Sequence, residues 1–321
     1  MLYPTLNKVE ELLKEYQMVP VFYEVLADYM TPIRMFQALR KEGTPCFMLE
    51  SVENKDQWGR YSFLGYAPTM EITCTDGNLQ IRKIHEDGTE EITKQQVKHP
   101  GDAIRKILKE YKSPVLEKMP TFTGGLVGYF SYDYIKYSEP KLELTDKTVE
   151  DFRDMDLMLF DQVIAFDHYR QKVLLITGVM TDDLENSFGK AEKKLQEMAD
   201  LIRKGEQKEF PSLKLQSSIE PQFPKEKYCE MVETARHYIR EGDIFQVVLS
   251  NPMRARAEGS LFDTYRVLRA TNPSPYMFYF SSDDIEIAGA SPETLAKLDR
   301  GQLSTFPLAG TRPRGKTRQE D

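Results

Sequence analysis

The sequence predicts an α+β fold, antiparallel sheets packed with helices. Three observations carry this. Short apolar runs alternate with polar residues at strand spacing. Asp-Gly pairs at 76–77 and 87–88 separate such runs. Amphipathic helical stretches fall between groups of strands rather than after each one. With 321 residues, 40% of them hydrophobic and 29% charged, the chain can bury a large core without staples.

Taken in order, Leu6, Val9, Leu12 and Leu13 repeat at helical spacing and predict a short surface helix over 5–15. Val19 to Leu26 reads as a strand, Thr31 to Arg40 as a helix, and Phe47 to Ser51 as a strand. Met70, Ile72 and Cys74 alternate before Asp76-Gly77, and Leu79 and Ile81 after it, which predicts a hairpin with a type I′ turn. The Asp-Gly at 87–88 extends it into a meander. Asp102 to Tyr111 is helical. Leu157 to Phe166 and Lys172 to Ile176 read as a hairpin around Asp167-His168. Leu184 to Lys204 is a long charged helix. Residues 205–224 turn polar and Pro/Ser/Gln-rich, the pattern of a linker. Beyond it, Tyr228, Met231, Val232, Ala235, Tyr238 and Ile239 mark a helix face, and Gly242 suits its end. Ile244 to Ser250, Tyr276 to Phe280, Ile285 to Gly289, Thr294 to Leu298 and Gln302 to Phe306 read as strands.

The net charge of -8 argues against a nucleic-acid partner, which needs clustered Lys and Arg. Cys46, Cys74 and Cys229 are far apart and lack CxxC spacing, so buried free thiols in a reducing compartment are expected. The start is amphipathic rather than basic then apolar, unlike a signal peptide. No apolar run approaches the roughly 18 residues of a membrane span. These readings predict a cytoplasmic protein with neither nucleic-acid nor membrane partners.

The four histidines, His85, His99, His168 and His237, lie apart in sequence and read as surface or structural residues. Gly124-Gly125-Leu126-Val127-Gly128 fits no phosphate loop and reads as a strand entry where backbones pack closely. Gln246, in an apolar stretch, is either a strand residue facing solvent or a buried amide seeking partners. Glu293 follows Ser291-Pro292; it is either an exposed loop residue or a partly buried carboxyl with a raised pKa, suited to general-acid work. Gly310-Thr311-Arg312 offers backbone N–H groups, a hydroxyl and a guanidinium to an anion.

Seven blocks in order resemble anthranilate synthase component I, a family of chorismate-utilising enzymes. They are Met48 to Ser51, Gly59 to Gly65, Gly124 to Asp133, Gly242 to Ser250, Asn272 to Phe280, Ala290 to Leu295 and Phe306 to Gly315. The resemblance implies conversion of chorismate and ammonia to anthranilate and pyruvate with Mg2+, the ammonia coming from a glutamine amidotransferase subunit. Glu293 would protonate the departing hydroxyl, and Gly310 and Thr311 would bind chorismate. Isochorismate-forming relatives carry Lys at the place of Gln246, and the para-aminobenzoate-forming sibling carries Lys at the place of Ala309. The two residues here therefore point to anthranilate.

Ser51, Pro275, Tyr276 and Met277 match the family's site for the inhibitor tryptophan; the plainer alternative is that they only close a sheet interface. The implied division is 1–204 as an amino-terminal domain with part of the tryptophan site, 205–224 as a linker, and 225–321 as the start of the chorismate-binding domain. The resemblance further implies that the chain stops within that domain. The metal ligands and elimination base are then expected beyond Asp321, and the piece alone is expected to be inactive. Para-aminobenzoate synthase component I and a non-catalytic tryptophan-binding fragment are the alternatives.

Overall fold

A computed structural model of the chain describes residues 2–40, 44–51, 59–139, 141–142, 152–180, 183–204, 209–308, 310 and 313–320. The amino-terminal elements are α1 (Leu6–Leu12), β1 (Met18–Leu26), α2 (Pro32–Leu39), β2 (Cys46–Glu50), β3 (Tyr61–Tyr66), β4 (Met70–Thr75), β5 (Asn78–Ile84), β6 (Glu90–Gln96) and α3 (Pro100–Glu110). There follow β7 (Gly125–Phe130), a 3-10 helix (Tyr132–Tyr137), β8 (Met155–Phe160), β9 (Gln162–Asp167), β10 (Lys172–Met180) and α4 (Leu184–Lys204). Next come β11 (Lys214–Leu215), β12 (Glu220–Pro221), α5 (Lys225–Glu241), β13 (Met253–Arg254), β14 (Ala257–Glu258) and α6 (Phe262–Thr271). The last are β15 (Tyr276–Ser281), β16 (Glu286–Ser291), β17 (Thr294–Asp299) and β18 (Gln302–Phe306). The α+β expectation holds: among the described residues every strand-to-strand ladder is antiparallel.

The chain folds as two units, Met1–Glu209 with Tyr265–Asp321, and Phe210–Thr264. This differs from the boundaries read from sequence, 1–204, 205–224 and 225–321. The reason is strand pairing. β15 and β16 join the amino-terminal sheet, in the order β1-β10-β9-β3-β2-β15-β16. The described part of the expected linker is also paired, because β11 bonds to β14 and β12 to β13. The first unit holds a second sheet, β6-β5-β4-β8-β7, and the β17–β18 hairpin.

Asp161 alone separates β8 from β9, and those strands lie in different sheets. The sequence reads Leu157 to Phe166 as one strand because both flanks are apolar and buried on both faces, so no alternation marks the switch. Beside this handoff Phe47, Met158, Phe160, Val163 and Phe280 pack into one cluster drawn from both sheets. The Phe47 and Phe160 rings meet edge to face, their centroids 4.7 Å apart. A Cβ on Gly128 would lie 1.9 Å from the Asp156 carbonyl oxygen, so the glycine-rich β7 marks a close backbone approach, as its sequence suggests.

The predicted turn at 76–77 forms, with φ of 49° at Asp76 and 77° at Gly77, both in the left-handed region that a type I′ turn requires. On α4, Ala191, Leu195, Met198, Ala199 and Ile202 recur at helical spacing and are buried where the helix lies along β10. Thr31 caps α2, its hydroxyl accepting from the Arg34 amide at 3.4 Å, and Pro32 opens the helix where its missing N–H costs nothing. Cys46 and Cys74 are buried free thiols, as expected, but Cys229 is exposed. Burial pushes the Cys46 thiol up to about 12.

An ionic lattice ties the β15–β16 turn to the second sheet. Arg82 reaches Glu71 at 2.9 Å, Glu90 at 3.1 Å and Asp283; Arg153 reaches Asp156 at 2.8 Å and Asp284 at 2.9 Å. Asp156 is fully buried, and burial, followed by the nearby Glu71 charge, pushes its carboxyl up to about 6. An unfolded Asp titrates near about 3.9, so the folded state holds this proton more tightly. The stability that protonation confers is therefore complete below about pH 4 and lost by about pH 7. In urea unfolding, the wild type should lose roughly 3 kcal/mol relative to Asp156→Asn between those pH values. A difference that does not change with pH contradicts the assignment.

Candidate functional site

An apolar strand that ends in a buried carboxylate must find donors for it. β2 runs Cys46-Phe47-Met48-Leu49-Glu50, and Glu50 is 6% exposed. Three donors reach it. The Ser62 hydroxyl at 3.2 Å and Arg269 Nη2 at 2.8 Å donate to Oε1, and the Tyr265 hydroxyl at 2.7 Å donates to Oε2. Tyr265 and Arg269 are four residues apart on α6, hence on one helix face. Burial, then the Glu50 charge, raises the Tyr265 phenol above its ordinary value, which keeps it a donor.

His168 Nε2 lies 2.8 Å from Ser62 Oγ. A serine has one proton, so a Ser62 that donates to Glu50 accepts from His168, which fixes the proton on Nε2. His168 thus has a structural partner, although nothing near it in sequence suggests one.

Of the four residues predicted for tryptophan, Met277 is paired with this cluster and Ser51 adjoins it in sequence. Met277 is buried and faces Glu50 across the β2–β15 ladder. Ser51 follows Glu50 directly and is half-buried, as are Pro275 and Tyr276. The Tyr276 hydroxyl bonds that of buried Thr294, the residue after Glu293. Ser274 is 5% exposed, and its hydroxyl has no hydrogen-bond partner among the described residues; neither does buried Arg269 Nε.

Glu293 sits at the entrance of β17, as its Ser-Pro approach suggests, but it is exposed rather than partly buried. Its Oε1 accepts from the Leu308 amide at 3.1 Å, which brings it beside the Pro307-Leu308 approach to Gly310. Gly310 is exposed, and a Cβ there would meet nothing within 4 Å. Ala309, Thr311 and Arg312 lie outside the described residues.

Gln246 belongs to the second unit. The expected strand Ile244 to Ser250 does not form, and Gln246 is exposed. No strand among the described residues pairs with this segment, so its apolar alternation has no sheet to fill, and Phe245 is 99% exposed. Of this set the structure brings together Glu293 with the approach to Gly310, and Ser51 with Met277. Sequence reading missed Ser62, Tyr265 and Arg269. The available signal was Glu50 itself, a charge closing an apolar strand, with a Tyr and an Arg at helical spacing elsewhere to answer it.

Among the described residues no helix is long and apolar enough to cross a membrane. The family model for chorismate binding enzymes matches residues 30–321. Anthranilate synthase component 1 of Acetivibrio thermocellus is 35% identical over 100% of this chain and 65% of its own length. That of Aquifex aeolicus is 35% identical over 99% of the chain and 64% of its own. The crystal structure of anthranilate synthase component I from Streptococcus pneumoniae matches 87% of this chain and 59% of that one. It does so with a TM-score of 0.61 and 29% identity. The chain therefore spans less than two thirds of the length of these relatives.

Removing the Glu50 carboxylate strands Arg269 and Tyr265. Glu50→Ala should cost about 3–5 kcal/mol in denaturant unfolding, while Ser62→Ala should cost about 1 kcal/mol. Equal, small losses for the two variants would show that Glu50 is not the hub.

Proposed function

This chain belongs to the family of chorismate binding enzymes, and we propose that it is part of the large subunit of an anthranilate synthase. The observation that carries the reading is likeness to enzymes of that name along essentially the whole chain. In the proposed reaction ammonia adds at carbon 2 of chorismate as the carbon-4 hydroxyl leaves as water. Loss of pyruvate then makes the ring aromatic, as a carbon–oxygen lyase does.

Hydroxide is a poor leaving group and needs a proton, and Glu293 is the proposed donor. Its bond to the Leu308 amide, just before Gly310, supports this, since Gly310 and Thr311 are the proposed hosts of a substrate carboxylate. Gln246 has no basic amine with which to activate water, which favours ammonia, already a nucleophile. Ala309 leaves no amine for covalent addition to the ring, which disfavours para-aminobenzoate.

We extend the reading to Mg2+ as partner of a substrate carboxylate, because it is a hard, oxygen-seeking cation. Among the described residues no group of three or more His, Cys, Asp or Glu is placed to hold a metal ion, so these residues do not fit it and no step is derived through it. A glutamine amidotransferase subunit is the proposed ammonia source, the cytoplasm the proposed location, and tryptophan the proposed feedback inhibitor. The pairing of Met277 with Glu50, the residue before Ser51, supports the last.

In a protein of the relatives' length carrying these residues, Glu293→Gln should lower turnover about 100- to 10,000-fold with little change in chorismate affinity. Anthranilate fluorescence reads the result, and an unchanged turnover removes Glu293 from the chemistry. Gln246→Lys in the same protein should divert part of the product to hydroxylated compounds, read by chromatography. Anthranilate alone at the wild-type rate would take Gln246 out of the nucleophile's path. Residues 1–321 alone should make no anthranilate, because Gln246 and Glu293 both stand exposed to water. Turnover by this piece would refute that expectation.

A further inference from the structure

We propose that a cavity where the chain passes from one sheet to the other, with Asp161 in its wall, binds a small primary ammonium carrying a hydrocarbon body. The proposal rests on neither the chorismate nor the tryptophan reading. The cavity holds about 260 Å³ and shares no residue with the Glu50 cluster. Asp161 is the one residue between β8 and β9, so the change of sheet fixes its backbone. The side chain is 19% exposed, but its Oδ1 is buried and has no hydrogen-bond partner among the described residues. Its Oδ2 stands 3.6 Å from Lys194 Nζ, beyond hydrogen-bond reach, and that ammonium lies nearer Glu86, at 2.9 Å. Burial pushes the Asp161 carboxyl up, and the Lys194 charge offsets this only in part. The group is thus a desolvated carboxyl short of donors, which a cation would satisfy.

The remaining walls select the kind of cation. Met18, Ile107, Leu159 and Phe160 are buried and apolar, which suits a hydrocarbon body. Gly124 and Gly125, whose sequence fits no phosphate loop, form another part of the wall, both with φ of 139°. A Cβ on Gly124 would lie 3.0 Å from the Phe160 carbonyl oxygen, so this side stays bare backbone. A divalent metal ion needs several oxygen ligands, and no group of three acidic, His or Cys residues among the described ones could hold it. Water alone would find few partners against the apolar walls. A cavity of about 150 Å³ already accepts benzene, so this one has room for a ring and an ammonium arm. The way in passes Leu108 and Lys112, which line the cavity and are exposed. Lys112 does not answer Asp161, because its ammonium sits over the Tyr16 ring, 5.5 Å from the centroid.

Titration calorimetry on the 321-residue chain tests the site with benzylamine, which is cationic at neutral pH, and with benzyl alcohol, its neutral counterpart. The wild type should bind benzylamine at least about 10-fold more tightly than the alcohol, the scale of one charge-assisted hydrogen bond. Asp161→Asn keeps the shape and removes the charge, and should bring that ratio to about one. Leu108→Trp, a change at an exposed position, should narrow the mouth and weaken both probes at least about 10-fold. It decides the matter if the Asn variant does not fold. A preference for benzylamine that persists in Asp161→Asn, or unchanged binding in Leu108→Trp, would place the amine elsewhere and overturn the proposal. A wild type that binds no benzylamine overturns it too, and leaves ordered water as the partner of Asp161 Oδ1.

Discussion

The pairing of β15 with β2 is the constraint on which the first unit depends. It sets Met277 opposite Glu50 and extends the amino-terminal sheet by two strands. A buried carboxylate at the end of β2 makes the register matter. Slipping β15 by one residue would turn Met277 and Phe280 away from their buried settings and shift the approach segment 272–275 relative to Glu50. Arg269 and Tyr265 answer that carboxylate from a helix more than two hundred positions away in sequence. Their bonds are worth most where water is excluded.

From this pairing the other features of the unit follow in order. The β15–β16 turn is held to the second sheet by Arg82 and Arg153, so the hairpin is fixed at both ends. The Tyr276 hydroxyl bonds Thr294, and Glu293 precedes Thr294, so one hydrogen bond joins the start of β15 to the entrance of β17. The candidate effector residues and the candidate acid thus share a short, continuous set of contacts. The apolar faces of β17 and β18 are exposed, with Leu295 and Leu303 open to solvent, in contrast to the sheet that carries β15.

Much of this was legible in the sequence, for identifiable reasons. The Asp76-Gly77 turn could be read because only a few residues accept two successive left-handed conformations. α4 could be read because its apolar period is long and unbroken. The split at Asp161 could not, since strands buried on both faces carry no alternation to mark a change of sheet. Ile244 to Ser250 misled for the opposite reason: it has a strand's composition, but a strand needs a neighbour. The domain boundary was misplaced because pairing between β2 and β15 is long-range, and a polar stretch at 205–224 has the composition of a linker even where its residues pair. Motif spacing singled out Ser51 and Met277 but not the donors to Glu50, since Ser62 on β3 and the Tyr265–Arg269 pair on α6 belong to separate stretches of chain.

Hydrogen exchange of single amides tests the central claim, that β15 is an interior strand of the amino-terminal sheet, most directly. Amides of β15 that point to β2 should exchange as slowly as those of β2 itself, because both would open only when the sheet does. Amides of β15 that exchange as fast as those of the unpaired segment 244–250 would contradict the pairing and the site built upon it.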